Sequence, residues 1–407
     1  SGFPPGAPQL SQTESANQVL AFNSQNKQLG ALDLGSNSFH LLIAQESHGR
    51  LQVLDKHKEM VRLADGLQDD DTLSAKAMDR ALDCLERFAQ RLRPLDPDNV
   101  RIVGTNTLRK ARKSDFLQRA QQVLGHKIEI ISGREEARLI YMGVCHDLGV
   151  DNQQRLVVDI GGGSTELIRG RKTTPEALES LYMGCVSMSR QHFGKGKVTK
   201  QNMRAAMKQA LLELEPVAHE FTAAGWESCV GASGTINAVR EVVSATEAVD
   251  HISAEHLENI RSRLISAGDL NELALPGLAD ERKAVFPGGV AILSAIFEAL
   301  HIDVMSVSQG ALREGLIYDL LGRKHEDDTR DHTVRSLMQH YRIDSIHARQ
   351  VRETAISLLS QVATDWQLTE SWHKLCLAWA ATLHEIGMDI SHSGYHKHGG
   401  YLLENMD

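Results

Sequence analysis

Two stretches of this chain join an aspartate to a glycine-bearing turn: ALDLGSNSFHLLIA around Asp33 and LVVDIGGGSTELI around Asp159. In each, an apolar run with strand character ends at the acid, and a turn of small polar residues leads into a second apolar run. Glycines let a backbone turn sharply and bring its N–H groups close to an anion. An aspartate at the strand end can hold a hydrated divalent cation against that anion. A tight hairpin would account for one such turn; two predict a duplicated phosphate clamp. Ser36, Asn37 and Ser38 would grip from the first loop, and Gly161, Gly162, Gly163, Ser164 and Thr165 from the second. Three consecutive glycines carry an entropic cost, and close approach of backbone to ligand explains them better than a flexible linker beside a strand as apolar as LVVDI. Asp33, Asp159 and Glu166 are the expected holders of Mg²⁺ or Mn²⁺, which bridges phosphate oxygens and neutralises developing charge.

Glu135 and Glu136 follow a Ser-Gly turn at an expected helix start, where the helix dipole favours acids, although two carboxylates exceed what capping needs. Arg109 in TNTLRKA offers a rigid fork of donors suited to phosphate oxygens. Arg282 in DERKAVFPGG is a second candidate, set against the reading of ERK as a solvated face. Cys185 in MGCVS lacks a neighbouring histidine or helix-start context that would lower its pKa, so it reads as packing. No GxxxxGK[ST] segment exists, which excludes a P-loop mechanism.

The elements that must position these residues alternate. Strands flank the Asp33 turn, a third is expected near residues 51–54, and residues 74–92 read as an amphipathic helix with Ser74 as N-cap. VRIVGTNTLRKA and HKIEIISGREEARLIYMGV each give strand, polar turn and helix. The second half repeats this order from the Asp159 turn, through a helix near residues 199–224. CVGASGTINAV gives strand, small-residue turn and helix, and VFPGGVAILSAIFEAL a Gly-Gly turn before an apolar helix. The half closes on VMSVSQGALREGLIYDLL. Alternation argues for α/β layers, the halves being variations on one plan. Beyond the charged connector RKHEDDTRD the patterns are helical, and YLLENMD stops in mid-pattern, as in a domain cut short.

A length of 407 residues suits two or three domains. Residues 1–27, rich in Pro, Gly, Ser, Gln and Asn, read as a disordered tail without secretory character. No apolar run approaches the ~20 residues of a membrane span. Five scattered cysteines suggest reduced thiols, hence a cytoplasmic protein, with peripheral membrane association left open. A net charge of −9 argues against general nucleic-acid binding but allows a local basic channel for an anionic substrate.

DLGSNSFH, GTNTLRKA, SGREEARLIYMGV, DIGGGSTEL, MGCVS, GASGT and GALREGL, in that order, resemble the exopolyphosphatase and guanosine pentaphosphate phosphohydrolase family of the actin-like ATPase superfamily. The resemblance spans residues 29–321 and continues more weakly beyond. It implies two actin-like (ribonuclease H-like) α/β domains, residues 28–140 and 141–322, flanking a cleft, then an all-helical HD-like domain over 323–407. It also implies Glu136 as the base on water, Arg109 at the scissile phosphate and Glu166 as a further catalytic acid. Gly231, Ser233, Gly234 and Thr235 match the nucleoside site of related kinases, here a phosphate-lined or vestigial one. In the helical domain His384-Glu385 stands where the metal-dependent His-Asp class has His-Asp. The glutamate argues against a second metal centre, and His384, His392, His396 and His398 read instead as groove lining for a long anion.

The expected reaction is Mg²⁺-dependent release of orthophosphate from the end of inorganic polyphosphate by a homodimer. The alternative substrate is guanosine pentaphosphate (pppGpp). A nucleotide-dependent scaffold or chaperone is the rival from another class, and a sugar kinase is weaker because a base such as Glu136 implies water as acceptor.

Overall fold

The computed structural model describes residues 27–47, 50–324 and 329–405. The tail over residues 1–26, part of the charged connector and the last two residues lie outside the described residues. The chain divides into two compact units between Tyr318 and Asp319. The first holds two α/β lobes and the second is helical.

In the first lobe β1 (Lys27–Leu34), β2 (Phe39–Ser47) and β3 (Arg50–Glu59) form an antiparallel meander. Next come α1 (Ala75–Leu92), β4 (Val100–Gly104), α2 (Asn106–Lys110), α3 (Phe116–Leu124) and β5 (Glu129–Ile130). The sheet order is β3-β2-β1-β4-β5, with β4 parallel to β1 and β5 parallel to β4. Helix α1 begins after Ser74 as expected, although the serine side chain makes no capping bond. Its apolar stripe, Ala81, Leu85, Phe88 and Leu92, joins Leu32 and Leu34 of β1 in one core. Each large side chain so buried contributes about 1.5–3 kcal/mol before entropy.

Helix α4 (Gly133–Leu148) leads into the second lobe: β6 (Gln154–Ile160), β7 (Thr165–Arg171), β8 (Thr174–Leu181), α5 (Cys185–Phe193), α6 (Lys200–Ala224) and β9 (Ser228–Ala232). Then follow α7 (Ser233–Glu247), β10 (Ile252–Ser253), α8 (Ala254–Ala267), α9 (Phe286–Leu300), β11 (Val304–Val307) and α10 (Leu312–Lys324). Its sheet runs β10-β11-β9-β6-β7-β8. Read from β8, the meander β8-β7-β6 is antiparallel, and β9 and β11 then add in parallel. This repeats β3-β2-β1-β4-β5 strand for strand, and the shared plan expected of the two halves is present.

The correspondence extends to single residues. Asp33 sits one residue before the end of β1 and pairs across the hairpin with His40. Asp159 sits one residue before the end of β6 and pairs with Glu166.

Two local expectations need correction, those at residues 288–289 and 233. Gly288 and Gly289 form no turn but lie in the first turn of α9. A Cβ on Gly288 would fall 2.4 Å from Ser189 Oγ, and one on Gly289 2.3 Å from Thr235 Cγ2, so they let α9 pack closely. The stretch at residue 233 is no loop either: β9 passes straight into α7, with Ser233 at φ +71°. The expected boundary at 140/141 falls inside α4, which packs on β7 and β8 of the second sheet. The one at 322/323 falls inside α10.

The second unit contains α11 (Thr329–His340), α12 (Ser345–Val362), α13 (Ser371–Thr382), a 3₁₀ turn (Ile386–Asp389) and α14 (Tyr395–Asn405). Among the described residues no helix is long and apolar enough to cross a membrane.

Candidate active site

The first loop, residues 35–38, joins β1 to β2, and the second, residues 161–164, joins β6 to β7. Both are braced from behind. Arg62 and Ala64 donate N–H groups to the carbonyls of Asn37 and Ser36 at 2.8 and 2.9 Å. Thr107 donates its hydroxyl to Ser36 Oγ at 2.8 Å. In the second loop the carbonyls of Gly161 and Gly162 accept the N–H groups of Cys185 and Val186, both at 2.9 Å, at the start of α5.

The two loops touch. A Cβ on Gly162 would lie 3.1 Å from Ser36 Cβ and 3.3 Å from Asn37 N, and one on Gly163 2.6 Å from Asn106 Oδ1. The glycines are needed because one loop leans on the other. Between them opens a cleft of about 330 Å³ whose wall includes Asp33, residues 35–38, Glu136, Asp159, residues 161–164, Cys185 and residues 233–235.

Glu136 enters from the first turn of α4, after the Ser132 N-cap, whose hydroxyl accepts the Glu135 N–H. The adjacent acids part company here. Glu135 turns to Arg138 and Arg101, whereas Glu136, 7% exposed, faces the cleft. Its Oε2 accepts from Arg109 Nη1 at 2.9 Å, and the same nitrogen donates to the Ile131 carbonyl at 2.9 Å. Burial raises the Glu136 pKa, and Arg109 pulls against it. Among the described residues the cleft wall does not include Arg109. Its observed partner is Glu136, to which it is a counter-charge.

Acidic side chains crowd this floor. Asp159 is pushed up to about 7, first by burial, with Glu136 adding to the rise and the Ser233 hydroxyl opposing it. Asp33 is raised well above the usual carboxylate range by burial and by Glu136, against Arg313. Glu166 is raised by burial, Glu136 and Asp159, and its Oε1 accepts from Ser180 at 2.8 Å. Asp33 Oδ1 is buried without a hydrogen-bond partner. Clustered oxygens of this kind, one lacking a donor, fit a hard divalent cation. Glu166 and Thr165 are fully buried beside this floor and do not line the cleft; Thr165 donates its hydroxyl to the Met183 carbonyl at 2.7 Å.

Cationic side chains line the cleft as well. Arg282, the second arginine candidate, is buried against Gly234 and not on a solvated face; any Cβ on Gly234 would lie 1.8 Å from its Nη2. Lys56, Lys58, His40 and Arg313 also line the cleft, and sequence reasoning missed all four. Lys56 and Lys58 alternate on β3, a period-two signal for one face. His40 Nδ1 lies 2.6 Å from Arg313 Nη1 and its Nε2 2.8 Å from Ser38 Oγ. Burial, then Arg313 and the lysines, holds the His40 pKa well below its ordinary value, so the ring is neutral and accepts from Arg313. Cys185 does open a helix, contrary to expectation, yet burial still raises its thiol pKa.

Residues 42–324 match the Ppx/GppA phosphatase family and residues 329–407 match Ppx/GppA phosphatase, domain III. The chain is 45% identical over 378 residues to an Aeromonas hydrophila protein named guanosine-5'-triphosphate,3'-diphosphate pyrophosphatase, covering 93% of this chain and 76% of that one. An Aliivibrio fischeri protein of the same name is 44% identical over 378 residues, with the same coverage of 93% and 76%. Among solved structures, an exopolyphosphatase from Cytophaga hutchinsonii shares the fold at a TM-score of 0.63 and 24% identity, over 72% of this chain and 98% of that one. The Aquifex aeolicus Ppx-GppA enzyme does so at a TM-score of 0.60 and 23% identity, over 72% and 99%. The scaffold and sugar-kinase readings are thereby set aside, and the chain, a hydrolase of phosphoanhydride bonds, belongs to the Ppx/GppA phosphatase family.

Proposed function

We propose that this chain removes the terminal 5′ phosphate of pppGpp by attack of water on the outermost phosphorus. The observation that carries the chemistry is the contact of Gly162 with Ser36 and Asn37, which gathers two phosphate loops and Glu136 into one cleft. The substrate reading rests on the relatives named guanosine-5'-triphosphate,3'-diphosphate pyrophosphatase and reverses the sequence-based preference for polyphosphate.

Phosphoryl transfer of this kind passes through a loose transition state, so positioning and charge neutralisation matter more than covalent help. The loops orient the outer phosphate. Glu136, held by Arg109, accepts the proton of the attacking water, and the cationic wall of Lys56, Lys58, Arg282 and Arg313 receives the remaining phosphates. A bound Mg²⁺ would be held by Asp33 and Asp159, with Glu166 beside them, and would neutralise charge on the phosphate oxygens.

Inorganic polyphosphate is the second reading. It is favoured by the cleft wall, which among the described residues contains no Phe, Tyr or Trp to stack a base. Orthophosphate release from pppGpp and from long polyphosphate by one preparation separates the two: kcat/KM should be higher for pppGpp. A tenfold preference for polyphosphate would reverse the order, and release from neither would end the hydrolytic reading of the cleft.

A further inference from the structure

We infer that His40, held by Arg313 from the second lobe, fixes the Ser38 hydroxyl as a hydrogen-bond donor to the outer phosphate, which makes His40 a positioning residue of the first loop. The inference rests on the reading of that loop as a phosphate cradle. Ser38 ends the loop and His40 is the second residue of β2. Alternate side chains of a strand share a face. Phe39, between them, is fully buried in the core of the first lobe, whereas Ser38 and His40 line the cleft.

One partner decides where the hydrogens lie. Arg313 Nη1 stands 2.6 Å from His40 Nδ1, and a guanidinium can only donate. Nδ1 therefore offers its lone pair, and a ring of that tautomer carries its hydrogen on Nε2. Nε2 lies 2.8 Å from Ser38 Oγ, so the ring donates and the hydroxyl oxygen accepts. The hydroxyl hydrogen must point elsewhere, and among the described residues no protein group accepts it. Ser38 is only 8% exposed, and the space it borders is the cleft. A buried donor without an acceptor costs free energy, which an anion in the cleft would offset. Both nitrogens of His40 are engaged, so the ring keeps no donor of its own for phosphate.

Arg313 is aimed in turn. Its Nε donates to Glu314 Oε1 at 3.0 Å, and Glu314 Oε2 accepts the Ala311 N–H at 2.9 Å. Lys56 Nζ, from β3 of the first lobe, reaches Glu314 Oε1 at 3.4 Å. The second lobe thus sets the direction of a hydroxyl in the first. A donor already aimed needs no reorientation when charge develops on the phosphate oxygens.

The test uses the full chain with Mg²⁺ and pppGpp. Ser38→Ala should lower kcat/KM about 10- to 100-fold, the usual worth of a hydrogen bond to a charged group. His40→Leu should lose about tenfold, because the hydroxyl is then free to turn away, and the double variant should be no worse than Ser38→Ala. His40→Gln offers a carbonyl to Arg313 and an amide hydrogen to Ser38, and should recover most of the His40→Leu loss with far-UV dichroism unchanged. Nitrogen NMR of histidine-labelled protein reads the tautomer without turnover: the resonances missing from His40→Gln should show a protonated Nε2 and a bare Nδ1. Were pppGpp not hydrolysed, the functional reading would fall, and the same variants read on pyrophosphate affinity would still judge the role of His40. Additive losses in the double variant, full activity of His40→Leu, or a hydrogen on Nδ1 would overturn the inference.

Discussion

In an Arg109→Ala variant Glu136 stays buried while its guanidinium partner disappears. At the observed 2.9 Å, two unit charges in an effective dielectric of about 20 attract by ~6 kcal/mol. Relaxation and entering water reduce this, and removing one member of a buried pair typically costs about 3–5 kcal/mol. Charged against the ionised carboxylate alone, that is a proton held on Glu136 roughly 10²- to 10⁴-fold more tightly, since ~1.4 kcal/mol is a factor of ten. The direction is fixed by cause: Arg109 is the influence that lowers the Glu136 pKa against burial. The assay is kcat for orthophosphate release from mildly acidic to alkaline pH. The variant should climb about tenfold per pH unit across a range where the wild type is flat, with little change in KM. Arg109→Lys should recover part of the loss. If Arg109→Ala instead raises KM and its pH profile parallels the wild type, Arg109 contacts phosphate and the counter-charge assignment is refuted.

Glu136→Gln should lose about 10²- to 10⁴-fold in kcat without losing stability; near-normal turnover by the folded variant would dismiss it as the base. Asp159 has a folded-state pKa of about 7 against an ordinary 3.8, so the folded protein binds the proton more tightly than the unfolded chain. Ionisation therefore lowers stability as pH rises between those values, by up to ~4 kcal/mol. Asp159→Asn should melt higher than wild type near and above neutral pH in chelator and equally at low pH, and a pH-independent difference in Tm would contradict this. Gly234→Ala places a methyl on the Arg282 guanidinium and should raise KM about tenfold or more, as should Arg282→Ala, with the double variant no worse than either. Additive effects would show that Arg282 acts elsewhere.

The hairpins were legible because a strand, an acid and a small-residue turn are local features, and both appear where the sequence places them. Gly288 and Gly289 misled for a physical reason: glycine marks tight approach as readily as a turn, and only the packing of Ser189 and Thr235 tells which. Arg109 was found as a residue but not in its partner, because a helix and a strand separate it from Glu136 along the chain. Arg313 reaches His40 from another lobe, beyond any periodicity.

The twin hairpins differ in one respect. Where the first sets Asp33 opposite an imidazole braced by Arg313, the second sets Asp159 opposite another acid. A shared architecture is thus electrically lopsided: one aspartate faces a neutral ring backed by an arginine from the other lobe, and its counterpart faces a carboxyl group. The asymmetry resides in His40 and Glu166, on the strands that follow the turns, so an exchange of the turns alone would leave it in place.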